Sequence, residues 1–494
     1  MEKYIIGIDI GTSSTKGLLI TTDGKIIKQN KVSYSINTPQ ETWAEGNAGD
    51  WLSAVCSVIK SLSQDIDASN LIGIGLDGLY GGSGIPVDEN NNVLGPALIW
   101  MDRRATKQTQ QVYKLLDKKE LMDITGNLAD PYYGYTKIMW IKENLPHLYE
   151  KTSKFLPPET YIIKELTGEE SINYSAAGNL GGIFNLNTDK WDLSLSNKLG
   201  IDLNKLPQKL IESTKIAGKV SSKWAEKLGI NAGTPMFNTG VDVGPATIGT
   251  GVFGPDDVTI AIGTSMNAAL VTKKPLLNRN LIIWPYSYKP MEYYYNFAGA
   301  NTAGAIVAWF IKEFSNKDTK EMDRLTADIP IGSNGITVLP YFMGERSPLW
   351  DSDIRGTILG LSLNTSKLDI YNAFQEAIAF SVRQSIEQFG ENIGDSITVV
   401  GGVSSSSKML HLISDITGKT VNTTKSGGEA DLGSAILAGI GKKVLSLNEA
   451  KNWSKINERI KPNLEKHILY NRYYQKYKEA YKFVKPYYQG FNNL

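Results

Sequence analysis

Cysteine and histidine are almost absent: the 494 residues contain one cysteine, Cys56, and three histidines, His147, His411 and His467. A lone cysteine excludes an intramolecular disulfide, and so few nitrogen and sulfur donors supply no ligand set for structural zinc. A catalytic cation would therefore be oxygen-bound, as magnesium is. Long apolar runs are missing as well, since none approaches the roughly 18 residues that a spanning helix needs. The N-terminus MEKYIIGIDIG has no basic stretch and sets Asp9 and glycines where a signal peptide needs unbroken hydrophobicity, so the cytoplasm is the expected location. Neither sign of charge dominates: 52 Lys and Arg against 51 Asp and Glu leave +1, and no overall field would hold the chain on nucleic acid or an acidic membrane.

What is present is an ordinary globular composition, 41% hydrophobic and 21% charged, in a chain long enough for about two to four domains. Its punctuation occurs twice. YIIGIDI, the loop GTSSTKG and LLITTDG read as strand, small-residue loop and strand, and VTIAI, Gly263-Thr264-Ser265 and MNAALV repeat the arrangement half a chain later. The economical reading is two halves on one plan, facing each other across a cleft. The boundary is expected within NTGVDVGPATIGTG, giving domains 1–245 and 246–494.

Other segments alternate helix and strand. Trp51, Val55, Ile59 and Leu62 have helical spacing after Asn47, LIGIGLDGLYGG reads as a buried strand running into a glycine-rich loop, and Ile370 to Phe389 form one face of a long helix closed by Gly390. The lysine- and tyrosine-rich C-terminus could suggest a nucleic-acid arm, but tyrosines spaced three and four apart fit an amphipathic helix lying on the body better.

Glycine, serine and threonine in a tight loop offer converging donors and close backbone approach to a phosphate. Thr12, Ser13, Ser14 and Lys16 have that chemistry, as do Gly263 and Thr264. The first loop differs from a Walker loop, because the chain leaves it as a strand rather than a helix. Either loop alone could be an ordinary turn; the pair points to a nucleotide cleft. Gly401-Gly402 precedes a helix start. Asp242, between glycines at the boundary, could be a functional carboxylate or an N-cap. Trp100, with Asp102 and two arginines after it, suits a polyhydroxylated ligand or a helix start with a charged face.

Taken in order, GIDIGTSSTKG, ALIWMDRRA, TKIMWIKEN, NTGVDVGPATIGTG, AIGTSMNAAL, PYFMGERSPLWDSDIRGTILGL, VVGGVSSS and GGEADLGSAILAG resemble the FGGY family of carbohydrate kinases over essentially the whole chain. The resemblance implies an α/β protein of two related actin-like (ribonuclease H-like) domains, each a mixed five-stranded sheet flanked by helices, around a central cleft. It implies ATP and Mg2+, with the sugar mainly on the first domain and ATP on the second. Carried over, Asp9 acts near magnesium and Thr12 to Lys16 form the phosphate loop. Trp100, Asp102, Tyr132 and Asp242 hold the sugar, and Asp242 is the general base. Gly263 and Thr264 hold ATP phosphates, and Asn301, Gly304, Gly401, Gly402 and Ser406 border the nucleotide. A homodimer is a further expectation from the resemblance.

The chain departs from the pattern where Gly78–Gly84 lacks the Met-His-Gly element of many xylulokinases, and where Phe374 and Gln375 replace small and aliphatic residues of the second signature. GERSPLWD resembles both the xylulokinase and the gluconokinase branches. A ketopentose such as xylulose ranks first as substrate, gluconate second, and another ketose or polyol third. The reading from a different class is a non-catalytic actin-like ATPase or sugar sensor.

Overall fold

Two mixed sheets with the same strand plan carry the molecule. The computed structural model describes residues 2–255, 258–424, 429–454 and 456–490; Gly427 and Gly428 of the GGEADLGSAILAG motif lie outside the described residues. The first sheet contains β1 (Tyr4–Ile10), β2 (Ser14–Thr21), β3 (Ile26–Ser33), β4 (Leu71–Gly78), β5 (Ile216–Lys219) and β6 (Pro235–Val241), in the order β5-β6-β4-β1-β2-β3. The second contains β7 (Val258–Ile262), β8 (Met266–Thr272), β9 (Ile282–Pro285), β10 (Tyr294–Ala300), β11 (Ser396–Val400), β12 (Thr420–Thr424) and β13 (Ile456–Ile460), in the order β9-β10-β8-β7-β11-β12-β13. In both, an antiparallel β-hairpin, β1/β2 or β7/β8, joins a parallel pair, β1/β4 or β7/β11. The duplication expected from the repeated punctuation is therefore a duplication of topology. The five-strand expectation needs a correction: the shared five are extended by β5 in one sheet and by β9 and β13 in the other, giving six and seven strands.

Helix α1 (Ala48–Ser63) begins where Asn47 accepts the Gly49 and Asp50 N–H groups at 2.7 and 3.3 Å, a cap worth about 1 kcal/mol. Its stripe of Trp51, Val55, Val58, Ile59 and Leu62 is buried against Ile6, Ile8 and Ile10 on one face of β1. The other face, through Ile5, joins a core that continues into the second sheet.

Two helices connect the lobes: α2 (Val243–Gly249), directly after β6, and α4 (Ala430–Gly441), which lies across β1 and β4. Glycines make this crossing possible. A Cβ at Gly7 would stand 1.8 Å from the Asp431 carbonyl oxygen, one at Gly75 would stand 2.1 Å from that of Ser434, and one at Gly433 would stand 1.8 Å from that of Pro245.

Helix α3 (Lys367–Ile386) is the long helix expected there, but its α-helical hydrogen bonding stops at Ile386 and a 3₁₀ segment, Glu387–Asn392, carries the chain through Gly390 at φ +64°. The C-terminal helix α5 (Leu464–Tyr488) buries Tyr470, Tyr474 and Tyr477, and the Tyr477 and Tyr341 hydroxyls are 2.8 Å apart. The tyrosine stripe packs on the body, as its spacing indicated. No helix among the described residues is long and apolar enough to cross a membrane.

Candidate active site

Strand alternation determines which acids share a face of the first sheet. On β1 and β4, Asp9 and Asp77 follow Gly7 and Gly75 at a spacing of two, so they share the face that α4 covers. Asp9 is paired in register with Asp77 on β4 and with Lys16 on β2. Asp77 is fully buried and accepts a hydrogen bond from the Ser434 hydroxyl of α4. Burial, and then the Asp9 charge, raise the Asp77 carboxyl well above the ordinary carboxylate range. Burial also raises Asp9, with the Lys16 charge opposing the shift.

Asp9 Oδ1 is buried without a hydrogen-bond partner. Magnesium is held in such sites by one or two carboxylates and completed by phosphate oxygens and water. The lone carboxylate oxygen of Asp9 fits that pattern, and no cluster of three or more His, Cys, Asp or Glu among the described residues forms an all-protein cage.

Asp242 stands where β6 passes into α2. Its N–H donates to the Gly78 carbonyl at 3.1 Å, and its Oδ1 accepts the Val243 N–H at 2.7 Å. The N-cap role is observed, and the carboxylate that caps α2 with one oxygen keeps the other without a hydrogen-bond partner among the described residues. Burial, followed by the charge of Asp9, pushes Asp242 from the ordinary 3.8 up to about 7, against the Val243 N–H. A carboxyl poised near neutrality is suited to accepting a proton from a hydroxyl.

The two glycine loops sit at equivalent ends of β1 and β7. In the first, Gly11 N–H donates to the Ser14 carbonyl at 3.0 Å; Ser13 and Lys16 are exposed, Thr12 is half-buried and Ser14 is buried. In the second, Gly263 and Thr264 are exposed, and their carbonyls accept the N–H groups of Gly304 at 2.9 Å and Ala303 at 2.9 Å. The Gly304 N–H is thus occupied within the protein. Gly401 has φ +87°, and a Cβ there would stand 2.5 Å from the Ile262 carbonyl oxygen, whereas Gly402 beside it borders open space. The Ser406 hydroxyl donates to Asp323 at 2.7 Å and caps the helix Ser407–Thr417. The Asn301 side chain holds the carbonyls of Met343 and Gly344 at 3.2 and 3.3 Å.

Trp100 is tied to the first loop by a 3.1 Å hydrogen bond from its indole N–H to the Thr12 hydroxyl. It lies next to Tyr132: a Cβ on Gly81 would meet the Tyr132 ring at 2.8 Å and Trp100 Cβ at 3.0 Å. Asp102 occupies different surroundings from those expected. Its buried carboxylate accepts the Ala44 N–H at 2.7 Å and pairs with Arg104 at 2.7 Å, and the Arg104 guanidinium in turn stacks 3.6 Å over the Trp43 ring. Asp102 positions the loop that carries Trp100.

Sequence reasoning singled out none of three further residues, although Lys137 lies in TKIMWIKEN and Arg346 in GERSPLWD. Lys137 is buried and donates to the carbonyls of Gly81, Pro131 and Tyr132 at 2.9, 2.7 and 2.5 Å, so it joins the two loops beside Trp100. Arg346, from GERSPLWD, reaches the same region from the second lobe. Glu159 is fully buried with Oε2 unpartnered, 3.1 Å from where a Gly78 Cβ would be.

Burial pushes Glu159 from the ordinary 4.5 up to about 8. With the folded value raised, its contribution to stability is full below about pH 4.5 and is lost as pH rises through about 8. Glu159→Gln keeps the shape without the titration. Urea midpoints are expected to show the variant more stable than the parent at pH 8, by on the order of 2 kcal/mol, and nearly equal to it at pH 4.5. A difference that is the same at both pH values would contradict the assigned burial cost.

Two mixed sheets of one plan, each with a glycine loop between the strands of its hairpin, define a protein of the actin-like two-domain fold. Residues 4–249 match the N-terminal domain of the FGGY family of carbohydrate kinases and residues 258–441 match its C-terminal domain; the chain belongs to this family and is a sugar phosphotransferase. It is 30% identical over 450 residues to a xylulose kinase of Bacillus subtilis (strain 168), with 89% of this chain and 88% of that one covered. The fold matches a ligand-bound xylulose kinase from Lactobacillus acidophilus at TM-score 0.93 and 24% identity, covering 99% of this chain and 100% of that one. A gluconate kinase from Lactobacillus acidophilus matches at TM-score 0.93 and 25% identity, with the same coverage.

Proposed function

We propose that the chain transfers the terminal phosphoryl group of ATP to the terminal hydroxyl of a ketopentose, with xylulose as the first candidate. The observation that carries this reading is Asp242, a carboxyl pushed up to about 7 with one oxygen unpartnered, at the junction of the two loop-bearing lobes. Phosphoryl transfer leaves the protein little covalent work; positioning, charge stabilisation and a proton acceptor do most of it. In this reading Trp100 and Tyr132 present the sugar and Asp242 takes the proton of its hydroxyl. Thr12, Ser13, Ser14 and Lys16 meet the phosphates from one lobe, and Gly263 and Thr264 from the other. Asn301, Gly304, Gly401, Gly402 and Ser406 border the nucleotide through the loops they shape. Asp9 would hold magnesium, which supplies charge neutralisation on the phosphate oxygens.

The xylulose assignment is supported by the name of the 30% identical relative. Gluconate is the second reading, supported by the gluconate kinase of equal fold similarity and by a guanidinium beside Trp100. The division at residue 245, a cytoplasmic location and a homodimer belong to the same proposal. ADP release measured with xylulose, ribulose, gluconate, glycerol and erythritol tests it. The highest kcat/KM is expected with xylulose. ATP consumption that yields no phosphorylated sugar with any of them would turn the reading to an actin-like ATPase or sugar sensor.

A further inference from the structure

We infer that Arg346 is a specificity-determining residue that reads the end of the sugar remote from the phosphorylated hydroxyl, by donating a hydrogen bond to a carbonyl or carboxylate oxygen there. The inference rests on the kinase reading above and deepens it.

Arg346 is held rigidly. Its Nε donates to the Gly299 carbonyl at 3.0 Å and its Nη2 to Asn267 Oδ1 at 2.6 Å. Its Nη1 has no hydrogen-bond partner among the described residues. The neighbouring Glu345 spends Oε1 on the N–H groups of Asn301 and Arg346, both at 2.9 Å, rather than on the guanidinium. No ion pair among the described residues includes Arg346. A half-buried guanidinium with two nitrogens anchored and the third open is a pre-organised donor that lacks only its acceptor.

The aromatic neighbours show where that acceptor would lie. The guanidinium carbon is 5.8 Å from the Trp100 ring centroid and 5.3 Å from that of Phe297, so this side chain of the second lobe reaches the proposed sugar-holding wall of the first. Tyr132 feels the charges of both Arg346 and Asp242, while Arg346 itself faces Tyr132, Glu345 and Arg103, and Asp242 faces Asp9. Tyr132 is thus within electrostatic reach of both groups. A sugar lying along Tyr132 with its reacting hydroxyl at Asp242 would bring its other end to Arg346 Nη1. A ketose carries its carbonyl toward that end and an aldonate its carboxylate. Both are acceptor oxygens suited to a guanidinium, and a reduced polyol has neither.

Equilibrium binding to the full-length chain tests this, with xylulose, gluconate and xylitol as probes and Arg346→Gln and Arg346→Lys as variants. The glutamine variant is expected to bind xylulose or gluconate roughly 10- to 100-fold more weakly, and its selectivity over xylitol should fall by the same factor. The lysine variant should recover part of that selectivity. The glutamine variant distinguishes the two acceptors, since whichever of xylulose and gluconate loses more affinity relative to the parent is the natural end group. Equal weakening of all three ligands would make Arg346 a structural tie between the lobes. A raised KM for ATP with sugar affinity intact would make it a phosphate clamp. Either result overturns the inference. Turnover by the parent enzyme reports on the kinase reading and the binding ratio reports on Arg346, so the two can fail separately.

Discussion

Asp242→Asn is expected to lower kcat by roughly 10²- to 10⁴-fold while leaving the fold and most of the ligand affinity in place. Asparagine caps a helix about as well as aspartate, and the Val243 N–H that Asp242 accepts at 2.7 Å can bond to the amide oxygen equally well. The amide differs from the carboxylate mainly in being unable to take a proton. The pH profile supplies an independent check. The parent needs Asp242 ionised, and burial pushes its carboxyl up to about 7, so kcat/KM should rise with pH through about 7. An active asparagine variant with an unchanged thermal midpoint would reduce Asp242 to a cap and move the search for the base to Asp77 or Asp102. Both are poorly suited: Asp77 is buried under Ser434, and Asp102 is paired with Arg104.

The second large effect is expected from Gly433→Ala. A methyl group there would stand 1.8 Å from the Pro245 carbonyl oxygen, a backbone atom of the other connecting helix that no rotamer change can move aside. Helices α2 and α4 would have to separate. The expected loss is about 3 kcal/mol or more of stability, at the upper end of overpacking costs, together with reduced turnover because the same helices set the distance between the loops. Gly254→Ala, where a Cβ meets nothing within 4 Å among the described residues, is the control. Chemical denaturation of the two variants decides the matter, and similar midpoints would show that the crossing relaxes more easily than its geometry indicates.

Local chemistry made much of this legible in the chain. Strand alternation, two glycine loops between apolar strands, the helical spacing after Asn47 and the three-and-four tyrosine spacing each act over a few residues, so residue order alone determined them and, through the repeated loops, the duplicated plan. The end of α3 was less legible: the apolar stripe continues to Phe389, but the backbone leaves α geometry at Ile386.

Roles that depend on partners distant in sequence were decided only by the tertiary structure. Asp102 reads as a pocket acid beside Trp100, yet its carboxylate is committed to Ala44 and Arg104. Ser406, proposed at the border of the nucleotide, has a hydroxyl that donates to Asp323, a partner its sequence neighbours do not reveal. Glu159 looks like an ordinary first-turn acid until Gly78 and the end of β4 bury it. Arg346 gains meaning only when the second lobe brings it against Trp100. Periodicity and loop chemistry are properties of neighbours along the chain. Whether a charged or polar group is open to a ligand or already satisfied depends on which distant atoms folding places within about 3 Å of it, and the tertiary structure alone decided that.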